Sequence, residues 1–207
     1  MSRIVTASVF AVLLLLPAAL SAQSCDALEF TVSAEPSTDP GFEGWYKYTV
    51  SGYWAVSGVE EGGGLSNFLF SLGMECPCLC DPDYDAEIGF PAPAGTSTGE
   101  YDDAPCDNVE YIGEAECGGY EDITTDDVIK FEVLAGECEP VDSGTGTWVF
   151  YSTLPPLDDA VYGNAVMIKY GEMTCWGDLS GQLPDCWDCI SVGTSEQSWG
   201  ATKTIYR

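Results

Sequence analysis

The sequence predicts an all-β fold, an antiparallel β-sandwich of immunoglobulin-like or jelly-roll-like type with a long, disulfide-stapled acidic loop region. Three observations predict it. Short runs rich in β-branched and aromatic residues, bounded by Gly, Pro, Asp and Ser, recur along the chain; helical periodicity is nearly absent between them; and ten cysteines follow an apolar leader.

The leader is MSRIVTASVFAVLLLLPAALSA, residues 1–22, with an early Arg3, an apolar core from Val9 to Leu16, Pro17 and small residues at its end. That layout is a secretory signal peptide. Its core is too short for a spanning helix, which needs about 20 apolar residues. Cleavage after Ala22, or after Ser21, leaves one domain over residues 23–207, and no later apolar run is long enough to insert into a membrane.

Leu28 to Val32 (LEFTV) is the first predicted strand. From Gly44 to Val59 the chain sets Tyr46, Tyr48, Val50, Trp54 and Val56 on one alternating face and Trp45, Lys47, Thr49 and Ser51 on the other, with Gly52 marking a bend or bulge. This reads as a half-buried strand pair or one long bent strand. Leu65–Leu72, Val128–Leu134, Gly146–Leu154 and Ala165–Tyr170 follow as short strands, and Trp199–Tyr206 is a candidate last one. Between them, residues 81–127 are crowded with carboxylates and hold no Lys or Arg. A structureless loop of that length is uncommon in a compact domain. The stretch is therefore expected as a Cys-rich acidic insertion, stapled by disulfides or extended by hairpins such as one at Val109–Ile112.

Charge narrows the function. Thirty-four Asp and Glu stand against 6 Lys and Arg, a formal net charge of −28. Such a surface repels phosphates and anionic headgroups, which excludes nucleic acid as a partner. The ten cysteines, Cys25, Cys76, Cys78, Cys80, Cys106, Cys117, Cys138, Cys175, Cys186 and Cys189, are an even set in a chain routed to an oxidising compartment. Five disulfides are expected, with connectivity open.

The order of Leu65-Ser66-Asn67-Phe68, Ile129-Lys130-Phe131, Trp148 to Thr153 and Met167-Ile168-Lys169-Tyr170-Gly171, closed by Gly181 to Cys186, resembles a pattern of secreted bacterial surface modules of unassigned function. Those modules carry strands of the type LSHF, IKF and V-IKAG, followed by GP-C. The resemblance spans roughly residues 44–189 and implies an extracellular, cell-surface β-sandwich of bacterial type, and little about activity.

Several constellations have the residue types that chemistry needs. Cys76, Cys78 and Cys80 share one face of an extended strand about 7 Å apart, too far to bridge one another, so each is expected to pair with a distant segment. Zinc is disfavoured because the chain has no His. Asp81, Asp83, Asp85 and Glu87 imitate the opening of a calcium loop, but Ala86 and Ala92 replace the Gly and closing Glu of an EF-hand. They remain a candidate calcium site, the one cofactor the sequence suggests, with Asp102-Asp103 and Asp126-Asp127 as less specific ligands. Cys186-Trp187-Asp188-Cys189 has redox spacing in acidic, strand-like surroundings that oppose a reactive thiolate. Histidine-dependent triads are excluded, and no complete catalytic constellation is present. Trp54, Trp176, Trp187 and Trp199 are candidate stacking platforms for sugars, although Trp in a β domain is more often core.

The expectation from sequence is a secreted, non-catalytic extracellular structural, adhesion or binding module, with calcium as a candidate stabilising ion. Its partner is an extracellular protein or a glycan. A carbohydrate-binding module is the alternative, and a carboxylate-based glycoside hydrolase, needing an acid pair about 5 to 10 Å apart in a cleft, ranks below it.

Overall fold

The computed structural model describes residues 24–57, 64–71, 87–101, 104–121, 124–125, 127–158, 165–170 and 173–186. The signal peptide, Trp187, Trp199, Cys189 and the Cys76–Cys80 run lie outside them, as does the candidate last strand Trp199–Tyr206.

Strands run through the described residues in the order β1 (Ser24–Pro36), β2 (Tyr46–Ser57), β3 (Leu65–Ser71), β4 (Ile88–Gly89), β5 (Gly95–Tyr101), β6 (Ala104–Glu116), β7 (Val128–Val133), β8 (Ser143–Ser152), β9 (Pro156–Leu157), β10 (Ala165–Tyr170), β11 (Met173–Gly181) and β12 (Leu183–Pro184). Nine of them form a single ring, β2-β1-β11-β10-β3-β7-β6-β5-β8, which closes because β8 pairs back onto β2 from Tyr46↔Ser152 to Ala55↔Ser143. The expected sandwich is thus corrected to a closed barrel. A sandwich needs two facing sheets with free edges, whereas each of these nine strands is hydrogen-bonded on both sides.

Closure imposes a rule of parity. Antiparallel neighbours alternate in direction, so an odd number of strands cannot close unless one adjacent pair is parallel. That pair is β1 and β11, in register Glu29↔Asp178 to Val32↔Gly181. The other eight ring pairings are antiparallel. Cys25 and Cys175 form a disulfide, with Cα atoms 5.7 Å apart, that ties the two strands of the parallel pair across a sequence separation of 150.

Side-chain alternation fills the barrel. Leu28, Phe30 and Val32 of β1, Tyr48, Val50 and Trp54 of β2, Phe68 and Phe70 of β3, and Ile129 and Phe131 of β7 all point inward. Trp148 of β8 is fully buried, with Phe68 at 4.2 Å, Tyr111 at 5.6 Å, Phe30 at 5.7 Å and Phe70 at 6.0 Å between ring centroids. This packing leaves the centre solid aromatic. Small residues make room for it: a Cβ at Gly146 would sit 2.4 Å from the Trp148 ring, and one at Gly144 would sit 2.3 Å from Trp54. Apolar residues inside and polar ones outside are the inverse of the pattern of a membrane-spanning barrel.

Residues 81–127, expected as a loop region, supply β4, β5 and β6, and the last two are full staves of the ring. Cys106, buried in β6, is bonded to Cys138 in the turn after β7. Cys117 and Cys186 are also disulfide-bonded. These bonds fit an extracellular protein. No helix among the described residues is long and apolar enough to cross a membrane.

Candidate functional site

With its interior packed, the barrel offers its outer surface. On β1, β2 and β11 a groove of about 590 Å³ opens between Glu29, Thr31, Ser51, Tyr53, Asp178 and Ser180. The register explains the grouping. Glu29 lies opposite Tyr53 on one side and opposite Asp178 on the other, and Thr31 lies opposite both Ser51 and Ser180. Long, twisted strands give a barrel a waisted surface, and the groove lies where Gly52 meets Phe30 across the β1–β2 ladder. A Cβ at Gly52 would come within 2.3 Å of the Phe30 ring, so this position is held to glycine by the packing beneath the groove.

The walls are chemically mixed. Tyr53, in the lining, is 42% exposed, and Trp176, outside the lining but two residues before Asp178 on the same outward face of β11, is 51% exposed. By strand geometry their Cα atoms are roughly 12 Å apart. Between them stand the solvent-facing carboxylates of Glu29 and Asp178. The hydroxyls alongside are only loosely engaged: Thr31 Oγ1 donates to the Ser51 carbonyl at 3.4 Å, and Ser51 Oγ lies 3.4 Å from Thr147 Oγ1. Those distances exceed the usual O–H···O range of about 2.5–3.0 Å, which leaves most of their hydrogen-bonding capacity for a ligand.

Two other clusters are structural ties. The Ser37–Trp45 turn is clasped to β8 by Phe42 stacked on Tyr151 at 3.9 Å and by Asp39, whose Oδ2 accepts from the Tyr151 hydroxyl at 2.5 Å and from Lys47 Nζ at 2.9 Å. The Tyr151 and Lys47 hydrogen bonds hold the Asp39 carboxyl below its ordinary range. Burial, followed by the Asp39 carboxylate, pushes the Tyr151 phenol up to about 12. On the opposite side, Lys130 of β7 contacts Glu114 at 2.5 Å, Glu132 at 3.1 Å and Glu116 at 3.8 Å, with the Tyr120 ring 5.2 Å away. Burial alone would lower the Lys130 ammonium, but hydrogen bonds to Glu114 and Glu132 outweigh it and hold the group above the ordinary lysine value.

Of the candidate residues, Asp81, Asp83 and Asp85 lie outside the described residues. Glu87 is exposed, and its backbone is tied to Thr153 rather than drawn toward other carboxylates. Among the described residues no group of three or more potential metal ligands comes together. Trp54 is fully buried against Phe68 and Trp148 and is no platform; Trp176 is exposed. Tyr53, Glu29 and Asp178 were not singled out in the sequence. The signal for Tyr53 was present: the alternation that puts Trp54 inside puts its neighbour outside.

No protein-family model matches the chain, and neither curated proteins nor solved structures contain a match to it.

Proposed function

We propose that this chain is a secreted, non-catalytic extracellular binding module whose ligand is a glycan seated in the β1–β2–β11 groove. The observation that carries the reading is the pair of solvent-facing aromatics, Tyr53 and Trp176, set on either side of Glu29 and Asp178. Aromatic faces cover the apolar face of a sugar ring while carboxylates and hydroxyls accept from and donate to its hydroxyls. The leader, the disulfides and the acidic surface suit a protein that works outside the cell. A glycan array probed with the parent protein and with Tyr53→Ala and Trp176→Ala tests it. Binding that both substitutions abolish supports the groove; binding that neither alters removes it.

Glycoside hydrolysis is the second reading, because Glu29 and Asp178 are direct cross-strand partners and that chemistry uses a pair of neighbouring carboxyl groups. Both face solvent, whereas a general acid of this kind works desolvated, and this favours binding over turnover. Reducing-end release from any array hit, lost in Glu29→Gln while binding persists, would reverse the preference.

A further inference from the structure

The groove opens directly onto a surface of a different character. Beyond Thr31 and Ser51 the same cross-strand row continues to Thr147 of β8 and Thr96 of β5, each residue in register with the next. A second row runs from Tyr53 to Thr145 and Thr98. After Glu29 neither row carries a charge across β2, β8 and β5, until Glu110 of β6 opposite Thr96, in a chain whose net charge is −28. All of these side chains are on the outer face, and their mutual contacts, such as Thr98 Oγ1 to Thr145 Oγ1 at 3.4 Å, are as loose as those in the groove. Strand spacing places successive members of a row about 4.8 Å apart, and the two rows about 6.7 Å apart. That is a regular array of hydroxyls on a scale comparable to the repeat of a sugar polymer.

The geometry points to an uncharged, extended polysaccharide as the ligand, with one end in the aromatic groove and its following units laid across β2, β8 and β5 on the hydroxyl ladder. The inference rests on the groove reading and adds the ligand's charge and length. Charge decides against uronate, sulfate or phosphate polymers, because the ladder offers them no cation and the surrounding carboxylates repel them. A polycation would be attracted by the whole acidic surface and has no reason to select a row of uncharged hydroxyls. A neutral polymer loses nothing to repulsion, and each sugar hydroxyl can exchange hydrogen bonds with a Ser or Thr that both donates and accepts.

Affinity electrophoresis in gels containing hydroxyethyl cellulose, mannan or arabinoxylan, set against alginate and dextran sulfate, tests the charge. Titration with a disaccharide and a hexasaccharide of a retarding polymer tests the length. At least one neutral polymer retards the protein and the anionic ones do not, and the hexasaccharide binds about tenfold tighter than the disaccharide, which is what one or two added hydrogen bonds supply. Thr96→Val with Thr147→Val keeps the β-branched shape, removes two hydroxyls, and abolishes that gain while leaving disaccharide affinity unchanged. Three results overturn the inference: equal affinity for short and long oligomers, a gain that survives the double substitution, or retardation by alginate as strong as by any neutral polymer. A concentration-dependent dimer in sedimentation, dissolved by the same substitutions, also overturns it by assigning the ladder to a second copy of the chain. The groove reading fails separately, when Tyr53→Ala leaves disaccharide binding intact.

Discussion

Two outer faces of one barrel solve the same problem in opposite ways. On the β3–β7–β6 side, Lys130 lies under Tyr120 among Glu114, Glu116 and Glu132, and Leu69 and Val128 are buried outside the barrel wall with Tyr120 packed on them. That side is covered and its charges are paired. On the β1–β2–β8–β5 side the Ser37–Trp45 turn packs over the end of the wall at Lys47 and Tyr151, and beyond it Thr31, Thr147, Thr145, Thr96 and Thr98 stand exposed. A chain with so many carboxylates could have solvated this side with them. Across β2, β8 and β5 the outward Ser51, Thr147, Thr145, Thr96 and Thr98 instead form a patch of hydroxyls between Glu29 and Glu110, and on the proposed reading the ligand lies there.

The largest effect is expected from the element both faces share. Trp148→Ala removes the ring around which the interior packs, and such truncations cost about 3–5 kcal/mol; urea denaturation should show the barrel near or past its stability limit, with both faces lost together. Trp148→Phe keeps an aromatic in place and deletes an indole Nε1 that has no hydrogen-bond partner among the described residues. It is expected to cost less than half as much. Next comes the clasp of the parallel pair: replacing Cys25 and Cys175 by Ala releases a long closed loop and should cost about 2–5 kcal/mol, read as a lower Tm that reducing agent no longer changes by the same amount.

How much of this was legible is clearest strand by strand. Ala165–Tyr170 and Val128–Leu134 announce themselves through their apolar and β-branched composition and appear as β10 and β7. β5, GTSTGEY, does not. Its inward positions are Gly95, Ser97 and Gly99: a Cβ at Gly95 would meet the Trp148 ring and one at Gly99 would meet Pro140, and Ser97 bonds the Tyr111 hydroxyl, so the neighbours' bulk erases the alternation that would reveal the strand. Closure was illegible for a different reason. Alternation reports which side chains face inward, and the inward set is the same for a sandwich and a barrel. The deciding contacts, β2 with β8 and β1 with β11, join segments far apart in sequence. For the site, Trp drew attention by size, while the strand parity that buries Trp54 was the better guide to Tyr53.

The two faces should separate under substitution. Lys130→Met leaves three glutamates clustered without their cation and should cost about 1–2 kcal/mol, a penalty that shrinks as salt screens the repulsion. Glycan binding by the folded protein is expected to be unchanged. Tyr53→Ala should do the reverse, abolishing binding while shifting stability by no more than about 1 kcal/mol, the range of exposed cross-strand pairs. Equal effects of both substitutions on both readouts would mean that the faces are not independent.

The smallest effect concerns the end of the open face, where Lys47 of β2 lies opposite Tyr151 of β8 and both bond Asp39. Asp39 is held below its ordinary range in the folded protein. Its ionised form therefore contributes stability that is fully present above the unfolded-state carboxylate value and is lost as pH falls through the lower, folded-state value. Tyr151→Phe removes the hydrogen bond that does most to hold Asp39 low while keeping a ring to stack on Phe42. Between about pH 2 and pH 5 the variant's stability should fall less steeply with acid than the parent's, although its stability at neutral pH is lower. Parallel curves would mean that Asp39 draws its low value from Lys47 alone, and the clasp would then be an ion pair open to salt rather than a hydrogen-bonded anchor for the face.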